Sequence, residues 1–178
     1  MSVARAFIGV GSNINPEENT RRALRLLAER LRVMRVSTVY RTEALGRPDD
    51  PGFYNCVVEI ETEIPPEDLK RRVLRRIEAD LGRSRTSDKY APRTIDLDVL
   101  LYADVVVSAG ELVLPDPDIT KRPFLAIPLR ELAPDLTLPG TGQRVADIAA
   151  ALAGRQMQPL PEYTALLRRD IADGYREG

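Results

Sequence analysis

The sequence predicts an α+β fold: a ferredoxin-like βαββαβ core, in which helices pack on an antiparallel sheet. Two observations predict it. Short apolar runs and helical periods follow one another in the order strand, helix, strand, strand, helix, strand. The 178 residues, 43% hydrophobic and 30% charged, suit one globular domain (1–178) whose core needs no disulfide or metal.

Residues 4–11, ARAFIGVG, form an apolar run ending in glycine and read as a buried strand. In the next segment Asn15 suits an N-cap, Pro16 the first helical position, and Glu17 and Glu18 the positive helix end. Leu24, Leu27 and Leu31 keep helical spacing, so the helix runs to about residue 31. Residues 33–41 are β-branched and read as one strand. Residues 43–53, rich in Gly, Pro and Asp, are a loop. Residues 54–63 alternate, with Cys56, Val58 and Ile60 on one face and Asn55, Val57, Glu59 and Glu61 on the other. Pro65 and Pro66 open a second helix with an apolar stripe of Leu69, Val73, Ile77 and Leu81, stopped by Gly82. Residues 83–93 lack an apolar period and predict an exposed loop. Residues 94–102 are a strand, and DVVVS at 104–108 can pair with a neighbour. Short helices are expected near 122–132, 143–153 and 161–173, the last two in a C-terminal helical extension, 136–178.

Composition excludes much chemistry. With no His, a Ser-His-Asp or Cys-His nucleophile system and histidine-ligated zinc or haem are ruled out. The single Cys56 excludes internal disulfides and reads as a core residue. The formal charge of −1 offers no bulk field for nucleic acid. A signal-peptide layout and a membrane-length apolar run are both missing, so a cytoplasmic chain without membrane contact is expected. Neither the P-loop nor the GxGxxG pattern occurs.

The remaining chemistry concentrates in one stretch. Asp96 and Asp98 stand at i and i+2 of a strand, so both carboxylates leave the same face, with Ile95, Leu97, Val99 and Leu101 on the other. Two like charges so placed repel unless a cation joins them, and carboxylate oxygens suit Mg²⁺. The plain alternative is acidic decoration of an exposed face. Residues 70–93 carry nine basic and three acidic side chains, and residues 94–119 carry six acidic and none basic. Arg83, Arg85, Lys89 and Arg93 adjoin the acidic strand, which makes either a charged surface loop or a polyphosphate site. Phe53 and Phe124 lie in polar segments and either stack on a planar ligand or pack on the domain.

IGVGSN at the start, VYRTEALG at 39–46, FYNCVVEIET at 53–62, IEADLGRSR at 77–85, APRTIDLDVLLY at 91–102 and RPFLAIPLRELAP at 122–134 together resemble the 6-hydroxymethyl-7,8-dihydropterin pyrophosphokinase family of folate biosynthesis. The resemblance covers about residues 4–135. It implies ATP and a reduced hydroxymethylpterin as substrates, with pyrophosphate transferred to the hydroxymethyl group and AMP released. It implies two Mg²⁺ ions on Asp96 and Asp98. Arg83 and Arg93 would then act on the developing charge, with Arg85 and Lys89 closing over the phosphates under Tyr90. Asn55, with backbone near Thr42 and Leu45, would read the pterin edge, and Phe53 and Phe124 would sandwich its ring. Val99 and Leu112 would line the adenine pocket, and Arg122 would touch phosphate.

The chain also departs from that family. Asp116, in Pro115-Asp116-Pro117, stands where the family has a histidine that donates to phosphate, which an ionised carboxylate cannot do. Arg75 stands at a glutamine position of the nucleotide site. Glu43 and Ala44 replace prolines, and Asp49-Asp50 replaces Asp-Gln. These changes raise the alternative of a pterin- or nucleotide-binding relative with altered catalysis. A nucleic-acid-binding module of the same fold fits worse, because it needs a basic sheet face with stacked aromatics.

Overall fold

The computed structural model describes residues 2–43, 49, 52–84, 87–88, 92–154 and 157–174. The main sheet is antiparallel, with central strands β1 (Ala4–Ser12) and β4 (Phe53–Thr62). Strand β5 (Asp96–Tyr102) pairs with β1 on one side, and β2 (Arg32–Val36) and β3 (Tyr40–Thr42) pair with β4 on the other. A two-residue strand β8 (Gln158–Pro159) extends β3. With β2 and β3 taken as one interrupted strand, this is the ferredoxin-like order expected from the sequence.

Helices cover both faces of this sheet. On the first face, α1 (Pro16–Arg30) joins a helical segment built from α2 (Pro66–Asp68), a π-helical stretch (Leu69–Leu74) and α3 (Arg75–Asp80). They bury Leu24, Leu27, Leu69, Leu74 and Ile77 against Ile8, Val10, Cys56, Val58 and Ile60. On the second face, α4 (Pro123–Leu132) and α5 (Val145–Leu152) pack on Phe7, Val57, Leu100 and Leu101. They cover only part of that face, and the uncovered end carries the site.

Several elements differ from the sequence reading, each for a local reason. The predicted strand 33–41 is broken at 37–39. There Ser37 exchanges backbone and side-chain hydrogen bonds with Val57, and Val39 N–H donates to Thr164 Oγ1. In the second helix the π-helical stretch adds a residue to the turn, so Leu74 is buried and Val73 only half-buried. Leu101 does not share a face with Leu97 and Val99. The β1–β5 register shifts between Phe7 and Ile8, and this bulge carries Leu101 to the second face with Leu100. Asn15 occupies the N-cap position but makes no side-chain cap. It takes a left-handed φ of 39°, and Asn19 Nδ2 donates to the Ile14 carbonyl instead.

The apolar piece after β5 pairs forward, so β6 (Val107–Ala109) and β7 (Leu112–Leu114) form a separate hairpin. The last helix, α6 (Pro161–Gly174), packs on the core. It buries Thr164, Leu167 and Ile171, its Asp170 pairs with Arg21 and Arg25 of α1, and Tyr163 stacks edge-on against Tyr54. Among the described residues no helix is long and apolar enough to cross a membrane.

Candidate active site

The site is built across three strands. Register places Gly11 between Asp96 and Asn55, and Gly9 between Asp98 and Val57. The two glycines put bare backbone between the polar side chains, forming the floor of a cleft of about 380 Å³. A Cβ on Gly11 would stand 3.0 Å from Asn55 Oδ1, and one on Gly9 3.2 Å from Leu100. The depth of the cleft therefore depends on the missing side chains.

At one end of the floor is a chain of alternating charges. Asp96 Oδ1 accepts from Arg83 Nη1 at 2.9 Å, and Oδ2 accepts from Arg93 Nη1 at 2.7 Å. Arg83 pairs in turn with the buried Glu78. Neither arginine is an exposed loop cation, as the sequence suggested: their side chains are 12% and 26% exposed. Asp98 has no ion-pair partner among the described residues. Burial pushes its carboxyl up to about 7, and the like charges of Asp96 and Asp116 add to this against the weaker opposing pull of Lys70 and Arg83.

That imbalance is what a divalent cation would relieve. Asp96 and Asp98 supply hard oxygen ligands from one face, the donor set that suits Mg²⁺ when phosphate oxygens complete the shell. Among the described residues no group of three or more His, Cys, Asp or Glu could hold an ion unaided. Two carboxylates do not fill a Mg²⁺ shell, so a cation held here would take its remaining ligands from water or phosphate.

At the other end, Thr42, Phe53, Asn55, Arg122 and Phe124 line the same cleft. Asn55 is buried, and its Nδ2 donates to Thr42 Oγ1 at 2.8 Å, which fixes the amide. A second cavity of about 200 Å³ adjoins past Asp98 and Asp116, lined also by Lys70, Val99, Glu111 and Leu112. Asp116 borders both cavities. Its Oδ1 caps a 3₁₀ turn (Pro117–Thr120) by accepting from Asp118 N–H, while burial raises its carboxyl above the ordinary range.

The structure thus lines one cleft with Arg93, Asp96, Asp98, Asp116 and Arg122 together with Thr42, Phe53, Asn55 and Phe124, and sets Val99 and Leu112 next door. Arg83 lines neither cavity and reaches the cleft only through Asp96. Arg75 is not among the residues lining either cavity and pairs with Glu111 at the tip of the β6–β7 hairpin. Leu45, Arg85, Lys89 and Tyr90 lie outside the described residues.

A family model described as 7,8-dihydro-6-hydroxymethylpterin-pyrophosphokinase (HPPK) matches residues 7–134. The chain belongs to this family. As a member it is an enzyme, an ATP-dependent pyrophosphokinase of folate synthesis. The 2-amino-4-hydroxy-6-hydroxymethyldihydropteridine pyrophosphokinase of Haemophilus influenzae is 36% identical over 155 residues, covering 85% of this chain and 95% of that protein. The protein of the same description from Methylorubrum extorquens is 41% identical over 147 residues, covering 81% and 92%. The folic acid synthesis protein fol1 of Schizosaccharomyces pombe is 37% identical over 172 residues, which are 95% of this chain and 23% of that one. Among solved structures, Plasmodium falciparum HPPK-DHPS with pteroate superposes with a TM-score of 0.70 at 13% identity. It covers 86% of this chain and 43% of that one, and it shows a shared fold.

In this HPPK-family site, sequence reasoning missed the groups that hold the catalytic candidates. Asn13 Oδ1 accepts from Arg93 N–H at 2.6 Å, and the N–H groups of Asn13 and Ile14 both donate to the Arg93 carbonyl. Ser12 Oγ donates to the Thr94 carbonyl at 2.6 Å. The GSN motif therefore clamps the backbone leading into β5. Its position at a strand end was the available signal; its partner, 80 residues away, was not visible. Asp118, which the sequence did not single out, and Glu43, which it marked only as a replaced proline, also line the cleft.

Proposed function

We propose that this chain transfers pyrophosphate from ATP to the hydroxymethyl group of 6-hydroxymethyl-7,8-dihydropterin, releasing AMP, in a Mg²⁺-dependent reaction with two ions expected. The observation that carries the reading is one cleft with the Asp96/Asp98 pair and its arginines at one end and the Phe53–Asn55–Phe124 group at the other. Phe53 and Phe124 suit the two faces of a flat heterocycle, and the fixed Asn55 amide suits its polar edge. The hydroxymethyl oxygen is then directed along the glycine floor toward the phosphates.

The new bond joins that oxygen to the β-phosphorus. The bond from the β-phosphorus to the α–β bridging oxygen breaks, and the alcohol proton is lost. A bound Mg²⁺ would supply positive charge against the triphosphate. Arg93, which lines the cleft, and Arg83, which reaches it through Asp96, would donate to the equatorial phosphate oxygens, and Arg122 would add a third cation. Positioning and electrostatics suffice for such a transfer, so the absence of histidine is no obstacle. Val99 and Leu112 offer an apolar bed for adenine in the adjoining cavity. Arg85, Lys89 and Tyr90 are assigned to closure over the phosphates, and Leu45 to the pterin edge, on the family resemblance alone. We read residues 1–178 as one domain working in the cytoplasm.

One assay tests this: ATP and the dihydropterin are incubated with protein and Mg²⁺, and nucleotides are separated by HPLC. AMP must appear in step with pterin diphosphate and vanish with EDTA. ADP as the product overturns the reading. Asp116 favours a second reading, a binding relative with reduced turnover, because a carboxylate borders both cavities. A sharp rise in turnover on Asp116→His, with ATP-analogue binding already tight in the native protein, supports that second reading; unchanged or lower turnover removes it.

A further inference from the structure

Arg83 leaves α3 through a tight reversal. Gly82 takes a φ of 78°, a region that side-chain-bearing residues avoid, and Arg83 N–H donates back to the Glu78 carbonyl at 3.0 Å. The chain doubles over the last turn of the helix, and the Arg83 guanidinium meets the Glu78 carboxylate there. The same Nη1 atom reaches Asp96 Oδ1 at 2.9 Å. Arg83 thus joins a carboxylate that lines the cleft to one that does not.

Glu78 is expensive where it stands. Its side chain is 4% exposed, and it lies in the last turn of α3, where the helix dipole disfavours an anion. Stability alone would favour an apolar residue. What the position supplies is a fixed anchor for one arginine.

The anchor matters because Asp96 is shared. Its two oxygens hold Arg83 and Arg93 in this structure, and the proposed reaction also asks Asp96 to ligate a cation. When it does, its hold on Arg83 weakens, and Glu78 is the partner that remains. We propose that Glu78 is a positioning residue that keeps the Arg83 guanidinium beside Asp96, at the edge of the cleft, throughout the reaction. The inference rests on the proposed function.

A double-mutant cycle of Glu78→Gln and Arg83→Ala tests it, with kcat, KM for ATP, melting temperature and binding of a nonhydrolysable ATP analogue read for all four proteins. Glu78→Gln is expected to lower kcat about tenfold while KM and analogue affinity move less than about threefold. In the Arg83→Ala background the same change is expected to alter kcat less than about twofold. An equal loss in both backgrounds, or a lower melting temperature with unchanged kcat, overturns the inference. If Glu78→Gln fails to fold, Glu78→Asp keeps the charge, withdraws it by one methylene and is read through the same cycle. Native protein that makes no AMP overturns the proposed function and this inference together; native protein that makes AMP leaves the cycle to decide this one alone.

Discussion

Gly11 carries the most specific prediction about the cleft. In Gly11→Ala the new Cβ would lie 3.0 Å from Asn55 Oδ1 and 3.7 Å from Phe53 Cδ1. The first contact is several tenths of an ångström too close, so one side must give. Gly11 is held on both flanks, by Asn55 of β4 and Asp96 of β5. Asn55 is buried and tied to Thr42 Oγ1 at 2.8 Å. Moving it sacrifices a hydrogen bond worth about 1 kcal/mol and re-aims the amide that faces the cleft. Adding the cost of overpacking, the variant should lose about 1–3 kcal/mol of stability. A hydrogen bond lost to the pterin weakens its binding about tenfold, or about 1.4 kcal/mol. The end lined by Asp96 and Asp98, proposed to take the phosphates, should keep its affinity for an ATP analogue within about threefold. Calorimetric titration with each ligand and a thermal melt separate these effects. Unchanged pterin affinity, or an equal loss for both ligands, would refute the idea that Gly11 shapes one end of the cleft only.

Three further outcomes follow from the same geometry. Asp98→Asn should abolish turnover yet raise the melting temperature in EDTA at neutral pH. Burial and like charges raise its carboxyl to about 7, so the folded state binds the proton more tightly than the unfolded chain. That contribution to stability is full below the unfolded value and lost as pH rises toward 7. A melting temperature that does not rise contradicts the assignment. Leu74→Ala should cost about 2–5 kcal/mol and Val73→Ala about 1 kcal/mol or less, because the π-helical stretch buries the first and leaves the second half-exposed; equal losses would mean an ordinary α-helical register. Cys56 is fully enclosed and burial pushes its thiol up to about 12, so a disulfide reagent should label it only at the rate of global opening, and rapid stoichiometric labelling of native protein rules this out.

Much of this architecture was legible in the sequence, because each signal was local. Asp96 and Asp98 share a face because strands have a period of two, and no longer-range fact is needed. Pro16 with Glu17 and Glu18 marked the start of α1, and Pro123 stands at the start of α4. The illegible features arise from pairing between distant strands or from a change of helical period. The bulge that turns Leu101 to the second face exists only in the β1–β5 register. The π-helical stretch leaves the apolar spacing ambiguous, since Val73 and Leu74 both look suitable. Glu78 reads as one more charge on a solvated helix until the turn at Gly82 brings Arg83 back over it. Arg83 and Arg93 read as exposed-loop cations because what holds them, the turn at Gly82 for the first and the distant Asn13 for the second, is not visible in the local sequence.

The charge arrangement explains why the site needs its ligands. Glu78, Arg83, Asp96 and Arg93 alternate in sign, so the charges of that chain balance without any added ion. Asp98 and Asp116 stand outside it, and burial raises both carboxyls. The free protein is therefore balanced on the arginine side and overcharged on the carboxylate side. A nucleotide alone would add anions to an already acidic wall. In the proposed reaction a nucleotide carrying divalent cations would neutralise that wall and compete for Asp96, easing its hold on Arg93 while Glu78 keeps Arg83 in place. This balance predicts that ATP binds tightly only together with a divalent cation. Asp116 should deepen the dependence, since an anion at that position adds to a repulsion that Lys70 and the Asp118 N–H offset only in part. Titrating an ATP analogue at several Mg²⁺ concentrations checks the argument. Affinity that does not depend on Mg²⁺ would mean that the like charges of Asp96, Asp98 and Asp116 do not govern nucleotide binding.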